Sequence, residues 1–583
     1  MSQRKDTTND FYSRLKHFAG KRKITRIIFE SVFLDRDKTS KTKNLMFPCN
    51  DESYKKHEGC AIRNIFIHVY DPFEIPIDDS INKNLKILHK GIDKLHFKTR
   101  KKIIYNKILF HEGEPLLPLK ISESERALRQ TGYITDVRIS VEETIDKDSV
   151  DVLITVLDKW AVTFPLEIRS LNSYRLSLRN SNLMGLGHFF EQTLDIKESS
   201  DKVLSGKYFI ENIDHTFISG GLFYSKEKIP LTLGIDIQRT SFSTLIKWGG
   251  GIYIENKTDK FTFKLPVGKD TLFPVQKTRY DNWILRRLNC KFLGERLRDI
   301  TGVSLAARVF ATEYNRRPPL IFENKNDYFL NNGILWSTGF YLQQYYKEKF
   351  IYRFGVSEDV PVGIIFQVTH GFYHQEQNTS KNFFSFNSRI AHKFKVGYLS
   401  NSLTVATYSN KKITNQVLFK GSVYFFSNII LIKKWMFRQF FHLDFNADIN
   451  HNLEKKITLR SSDIYSIPVQ DKQGFLKLLF NMETVAYAPF DLFGFRFAPV
   501  FMFGSGFIDE ETKGLNHVKF FHAVALGILF RNENLLRNTF QISAGFYPVL
   551  NDSGKRHFVI GPIASFSLRV NGFSANKPDF TDY

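Results

Sequence analysis

The sequence predicts two architectures in series: a small α+β domain over residues 61–160, then an all-β transmembrane antiparallel barrel of about 16 strands over residues 161–583. A basic, helix-period segment, residues 1–60, precedes them. Three observations carry this reading. The grammar of the chain changes at Trp160, from strands mixed with helix-period segments to short runs of alternating polarity separated by turn residues. Aromatic content is 15%, with 57 Phe, yet mean hydropathy is only -0.25. No run of about 18 apolar residues exists, so a transmembrane helix is excluded and aromatics spread through alternating strands suit a lipid-facing barrel.

In the N-terminal segment Phe11, Leu15, Phe18, Ile24, Ile27, Ile28 and Val32 fall at helical spacing, with Lys21, Arg22, Lys23 and Arg26 between them. Such a helix packs on the next domain, plugs a lumen or lies on the inner leaflet. The opening MSQRKDTTND lacks the apolar core of a signal peptide. The expectation is therefore a processed form, or a start downstream of the true one. Cys49 and Cys60 flank a polar loop and either bridge in an oxidising periplasm or stand as two loop thiols; both readings stay open. With Cys290 they form no metal-ligand spacing.

The run AIRNIFIHVY, closed by Asp71-Pro72, reads as a strand. Ile81, Leu85, Leu88, Ile92 and Leu95 form the stripe of a helix from Ile81 to Lys107, with Gly91 as a break in it. Ser122 with Glu125 reads as a capping box opening a short helix that Gly132 ends. Two strands follow, YITDVRISVEE and SVDVLITVLDKW. In the second, Val150, Val152, Ile154 and Val156 alternate with Asp151, Leu153 and Thr155. The order is βααββ, a helix pair over a small sheet.

Beyond Tyr174 the period is two. Leu231, Leu233, Ile235 and Ile237 oppose Thr232, Gly234, Asp236 and Gln238; Phe261, Phe263, Leu265 and Val267 oppose Thr262 and Lys264. Phe540, Ile542, Ala544 and Phe546 oppose Thr539, Gln541, Ser543 and Gly545, and in the last strong strand Ala564, Phe566, Leu568 and Val570 oppose Ser565, Ser567, Arg569 and Asn571. A soluble sandwich alternates too. The number of strands, the small and polar second face and the aromatics at strand ends favour a membrane barrel. About 420 residues at about 26 per strand and loop give about 16 strands, an even number.

The 82 Lys+Arg against 60 Asp+Glu give a net charge of +22. The excess is scattered and no nucleic-acid motif is present, so the expected partners are a lipid bilayer with acidic headgroups and a cationic lumen, not nucleic acid. Catalytic signals are absent. His111-Glu112 lacks a second His at zincin spacing, Gly185-Leu186-Gly187 reads as a hairpin turn, and no G-x-S-x-G elbow occurs. No enzyme activity, cofactor or metal is expected.

Residues 60–583 resemble the BamA/TamA superfamily of outer-membrane assembly and translocation proteins, closest to single-POTRA, TamA-like members. The front end resembles one POTRA domain through IRNIFIHV, TRKKIIYNKILFHEGEPL, ISESERALRQTGYITDVRISVEE and DVLITVLDKW. The spacing from Leu109-Phe110-His111-Glu112-Gly113 to Glu125-Arg126 and Gly132-Tyr133 carries the match. NSNLMGLGHFF resembles the hairpin after the first barrel strand, and LLFNMETVAYAPF with GFRFAPVFMFGSGFI the paired late strands.

The resemblance implies a Gram-negative outer-membrane protein with its front domain in the periplasm. It would handle unfolded or secreted client proteins, with periplasmic or outer-membrane partner subunits. A sheet edge of the front domain would capture client strands, the candidate being Val150, Val152, Ile154 and Val156, or else Tyr133–Glu142. A weak seam would join the strand around Tyr174, Leu176 and Leu178 to that around Phe566, Leu568 and Val570, opening sideways to template or export clients. Such families carry an Arg-Gly-aromatic tip on a loop inside the lumen. That slot holds TLRSSDIYSIP here, with Arg460 but no Gly-aromatic after it, so the lock is lost or reworked. A passive anion-biased channel and a scaffold subunit are the competing functions.

Overall fold

The structure is a computed structural model. It describes residue 17 and residues 52–72, 96–146, 148–170, 172–197, 202–227, 231–264, 270–290, 299–317, 330–351, 357–375, 380–410, 413–449, 456–465, 472–492, 495–509, 519–532, 540–548, 558–561 and 577–580. Nearly all of the expected N-terminal helix, and the stripe from Ile81 to Leu95, lie outside these residues.

The front domain has the βααββ order read from the sequence. After a short helix α1 (Glu52–Lys55) come β1 (Ala61–Tyr70), α2 (Lys101–Tyr105), α3 (Pro118–Arg129), β2 (Ile134–Glu143) and β3 (Ser149–Asp158). The sheet order is β1-β3-β2, with β1 parallel and β2 antiparallel to β3. Ile62, Ile67, Ile104, Ile108, Phe110, Ile121, Leu128 and the inner faces of β2 and β3 make one core. The expected capping box is not used. Helix α3 starts earlier, with proline in its first turn, where a missing N–H is harmless. Ser122 therefore sits inside the helix, donating to the Leu119 carbonyl at 3.2 Å.

The rest of the described chain is a closed antiparallel barrel in which consecutive strands are neighbours. It opens with β4 (Val162–Thr163), β5 (Leu166–Ser170), β6 (Ser173–Asn180) and β7 (His188–Ile196). Segments β4 and β5 both pair with β6 and form one wall interrupted at Pro165, which has no N–H to give. The ring passes through 23 described segments. Three of these only continue a neighbouring wall: β5, Ile430–Ile432 and Asp491–Leu492. The barrel is thus larger than the 16 strands expected, because many hairpin turns are tighter than the assumed strand-plus-loop length.

Wall height is uneven. The strands from β6 to Leu231–Arg239 run 8 or 9 residues, whereas Asp270–Asn289 runs 20 and Asn331–Lys349 runs 19.

Alternation reads the two faces as the sequence did. Leu231, Leu233, Ile235 and Ile237 are 41–52% exposed on the outside, the face that would meet lipid, while Asp236 and Gln238 line a cavity inside. Ile542 and Phe546 also point outward, and Ser543 inward. No helix among the described residues is long and apolar enough to cross a membrane. Ile235→Arg should destabilise the barrel by about 2–4 kcal/mol, the cost of a charge at mid-bilayer. Urea unfolding in liposomes, followed by heat-modifiable gel mobility, checks this; an unchanged midpoint would rule out Ile235 as lipid-facing.

Candidate functional site

The front domain is bonded to one mouth of the barrel through two main clusters that follow from local sequence, and through Asn106 and Lys107, which meet Glu211, Asn212 and His215 at 2.8 Å each. The first is where β3 ends. Asp158 is fully buried and accepts from the Thr99 N–H at 2.7 Å and the Thr99 hydroxyl at 2.7 Å. The Thr99 hydroxyl accepts in turn from the Asn182 amide at 2.8 Å, and the Asn182 carbonyl takes the Gly187 N–H at 2.7 Å. Asn182 opens the β6–β7 turn, whose Gly185 and Gly187 both have positive φ (73° and 67°). A Cβ on Gly185 would lie 2.2 Å from the Lys98 carbonyl oxygen. The Arg100 N–H donates to the Gly185 carbonyl at 3.0 Å. The glycines thus let the barrel turn touch the front domain's backbone.

The second place is a charge cluster on α3. Arg129 makes a bidentate pair with Asp359 at 2.9 Å for both bonds, and donates to Glu125 at 3.0 Å. Lys347 reaches the same Glu125 at 2.9 Å. Arg126 pairs with Glu123, donates to the Phe242 carbonyl at 2.6 Å and lies 4.0 Å from the centre of the Tyr345 ring. Burial alone would depress the Arg129 pKa, but Asp359 and Glu125 outweigh it and hold the guanidinium more firmly charged than usual. Burial pushes the neighbouring Asp136 carboxyl up. Lys107 adds a rim contact to Glu211 at 2.8 Å.

Comparison with known families places this domain. The POTRA family model, described as surface antigen variable number repeat, matches residues 93–158. The front domain is a POTRA domain. The chain thus carries a POTRA domain followed by an antiparallel barrel. Among solved structures, the chain is similar to BamA from Haemophilus ducreyi lacking POTRA domains 1–3, at 11% identity and TM-score 0.31, covering 86% of this chain and 83% of that one. It is similar to CdiB from Acinetobacter baumannii at 9% identity and TM-score 0.40, covering 96% and 98%. At such scores neither likeness bears on function. No curated protein matches the chain.

The POTRA sheet corrects the expected capture strand. Strand β3 is central, paired on both sides, and Val150, Val152, Ile154 and Val156 are core residues at most 1% exposed. The sheet edges are β1 and β2, so the second candidate, Tyr133–Glu142, contains an edge strand. In an antiparallel ladder alternate residues turn their backbone groups outward. On β2 the outward carbonyls of Val137 and Ile139 receive Arg129 at 3.4 Å and the Tyr54 hydroxyl at 2.6 Å. Val141 is the next outward position. The start of β1 is covered by the 112–116 turn, through Ile62 and Glu114 at 2.9 Å and Gly113 and Ile62 at 2.8 Å.

Only one side of the expected seam lies in the described residues. Tyr174, Leu176 and Leu178 lie on β6, which pairs with β4 and β5 on one side and β7 on the other. The ring closes between Phe558–Gly561 and β4. Phe566, Leu568 and Val570 lie outside the described residues, as does Cys49. Cys60 precedes β1, its carbonyl accepting from Leu116 at 2.8 Å. Among the described residues no cluster of His, Cys, Asp and Glu is arranged to hold a metal.

The loop carrying Arg460 does fold into the lumen, but Arg460 does not anchor it. Arg460 is exposed and only begins a short turn, its N–H donating to Asp463 at 3.1 Å. Anchoring falls to its neighbours. Lys477 pairs with Asp463 at 3.0 Å, and Ile464 lies against Gly504 and Gly506. The Tyr465 carbonyl accepts from the Tyr547 hydroxyl at 2.9 Å. The POTRA contacts of α3 were missed in the sequence; the signal was SESER, a charged run in a helix with no free face.

Arg129→Ala leaves Asp359 buried without its partner and should cost about 3–5 kcal/mol. Trypsin cleavage at Lys159 should then speed up while the barrel keeps its heat-modifiable mobility; equal cleavage rates would mean the dock is not held by this pair. Gly185→Ala, strained by about 1–3 kcal/mol at its positive φ, should loosen the same dock. Hydrogen exchange at Arg100 reads that directly, and unchanged protection there would refute it.

Proposed function

We propose that the chain is a non-enzymatic outer-membrane protein that assembles, inserts or translocates other proteins, with its POTRA domain in the periplasm. The observation that carries this reading is the uneven barrel wall: the strands from β6 to Leu231–Arg239, where the barrel begins, run 8 or 9 residues against 19 or 20 in the tallest, beside a POTRA domain fixed to the barrel mouth. A strand of 8 or 9 residues barely spans the ~25 Å apolar band, so backbone pairing is scarce along the wall where the barrel begins. A short wall is the one most easily opened for a client strand. The POTRA edge at Val141 supplies a place for an extended client to add by main-chain hydrogen bonds. Expected partners are unfolded or secreted proteins, acidic lipid headgroups and periplasmic or outer-membrane subunits.

The lumen disfavours a simple anion pore. Its cavity of about 1010 Å³ sets Arg279, Arg389 and Lys420 against Asp236 and Asp281, and the Asp463–Tyr465 loop fills another part. The test is purified protein in liposomes given an unfolded barrel client, with protease protection and ion conductance read in the same preparation. Client folding should accelerate severalfold over empty liposomes. Val141→Pro removes one outward N–H while leaving the β2–β3 ladder intact, and should erase most of the gain. Steady conductance without faster folding would replace this reading with the channel or scaffold.

A further inference from the structure

The described segment Lys577–Phe580, after the last described strand, lies inside the barrel among groups that fit it residue by residue. Lys577 pairs with Asp281 at 3.0 Å. Arg308, only 5% exposed, holds Asp281 with two nitrogens at 2.8 Å each. Its third nitrogen turns to the segment, donating to the Pro578 carbonyl at 3.1 Å and the Asp579 carboxylate at 2.5 Å. The Phe580 ring sits among four wall aromatics: Phe383 at 4.9 Å between centroids, Phe310 at 5.0 Å, Tyr373 at 5.6 Å and Tyr408 at 6.4 Å. Lys577, Asp579 and Phe580 also border the cavity of about 1010 Å³, so open lumen adjoins the occupied site.

Each part has a physical reason to bind. A buried guanidinium with one unmatched nitrogen is expensive, and a carbonyl with a carboxylate satisfies it. Four rings give an aromatic side chain three edge-on contacts and one stacked contact that water does not replace. Asp281, shared between Arg308 and Lys577, sets the position of the cation two residues before the acid. Order and spacing are therefore read together: cation, spacer, acid, aromatic.

We propose that the barrel lumen carries a peptide-binding site for a segment of the pattern cation-x-acid-aromatic, and that Lys577–Phe580 is its tethered occupant. The site narrows the lumen while filled, and a segment of the same pattern from another chain competes for it. This rests on the lumen geometry and not on the reading of the protein as an assembly factor, so either can fail alone.

The test uses the full chain in detergent or liposomes and a fluorescent Lys-Pro-Asp-Phe peptide followed by anisotropy. A tethered ligand works at an effective concentration on the order of millimolar, so wild type should bind the free peptide weakly. The D579A/F580A variant, with every wall residue intact, should bind it at least about tenfold more tightly. A peptide with Asp and Phe replaced by Ala should not bind the variant. Equal binding by wild type and variant, or none by a variant that keeps heat-modifiable mobility, overturns the proposal. A second variant reads position without a ligand. In Lys577→Ala a zero-length carbodiimide coupling of Lys577 to Asp281, expected in wild type and read by mass spectrometry of the linked peptides, should vanish, and absence of that link in folded wild type places the segment elsewhere.

Discussion

The arrangement of the whole molecule depends on one buried carboxylate. Asp158 stands where the POTRA sheet ends and the barrel begins, with no exposed surface, and the attachment nearest the junction passes through the groups it satisfies. Thr99 spends both its N–H and its hydroxyl proton on Asp158, which frees the hydroxyl lone pairs for Asn182. Charge-assisted bonds of this kind contribute about 1.5–3 kcal/mol each, and removing the acceptor strands two buried donors. The chain thus fixes the angle of its POTRA domain before the α3 charges meet the far side of the mouth at Asp359 and Lys347.

Those two attachments differ in chemistry for a reason. The first joins residues close along the chain and uses short polar side chains with glycines, so backbones approach closely. The second spans 230 positions, from Arg129 to Asp359, and uses long charged side chains that reach across a gap. A buried ion pair adds little net stability over a well-packed apolar contact, but it punishes misplacement, since a shifted Arg129 would strip Asp359 of both its bonds. The dock therefore supplies orientation more than affinity, as suits a domain that must present a strand edge toward a fixed opening.

Much of this was legible in the sequence, and what was not has a common cause. Period-two alternation at Leu231–Gln238 assigned faces correctly because one side of a barrel strand meets lipid and the other does not. The POTRA order and the inward loop were readable from spacing and motif. Neighbour relations were not. Val150, Val152, Ile154 and Val156 alternate as an edge strand would, and nothing local says that β1 and β2 flank them. That Leu153 and Leu157 fill the opposite face was the available hint of a central strand. Likewise β4 and β5, split by Pro165, are too short to register as a wall beside β6. Arg460 drew attention as a charge in a family slot, while Asp463 and Tyr465 hold the loop through contacts from distant strands. The strand count failed because an average loop length ignores how tight the turns are at the POTRA end.

The uneven wall then turns from a description into a constraint. At about 3.3 Å per residue and about 40° of tilt, nine residues rise about 23 Å and nineteen about 48 Å. The tall side over-spans an apolar band of ~25 Å with room for girdles, while the short arc beside the closure barely covers it. A bilayer must thin against that arc or leave backbone groups unpaired in hydrocarbon, and thinning is far cheaper per ångström than an orphaned N–H. Thinning in turn lets water and headgroups approach the shortest strands, lowering the cost of parting them. The same asymmetry puts the tall strands, which carry Arg308, Tyr373 and Phe383, away from the closure, where a rigid wall keeps the lumen site intact whether the short arc is paired or parted.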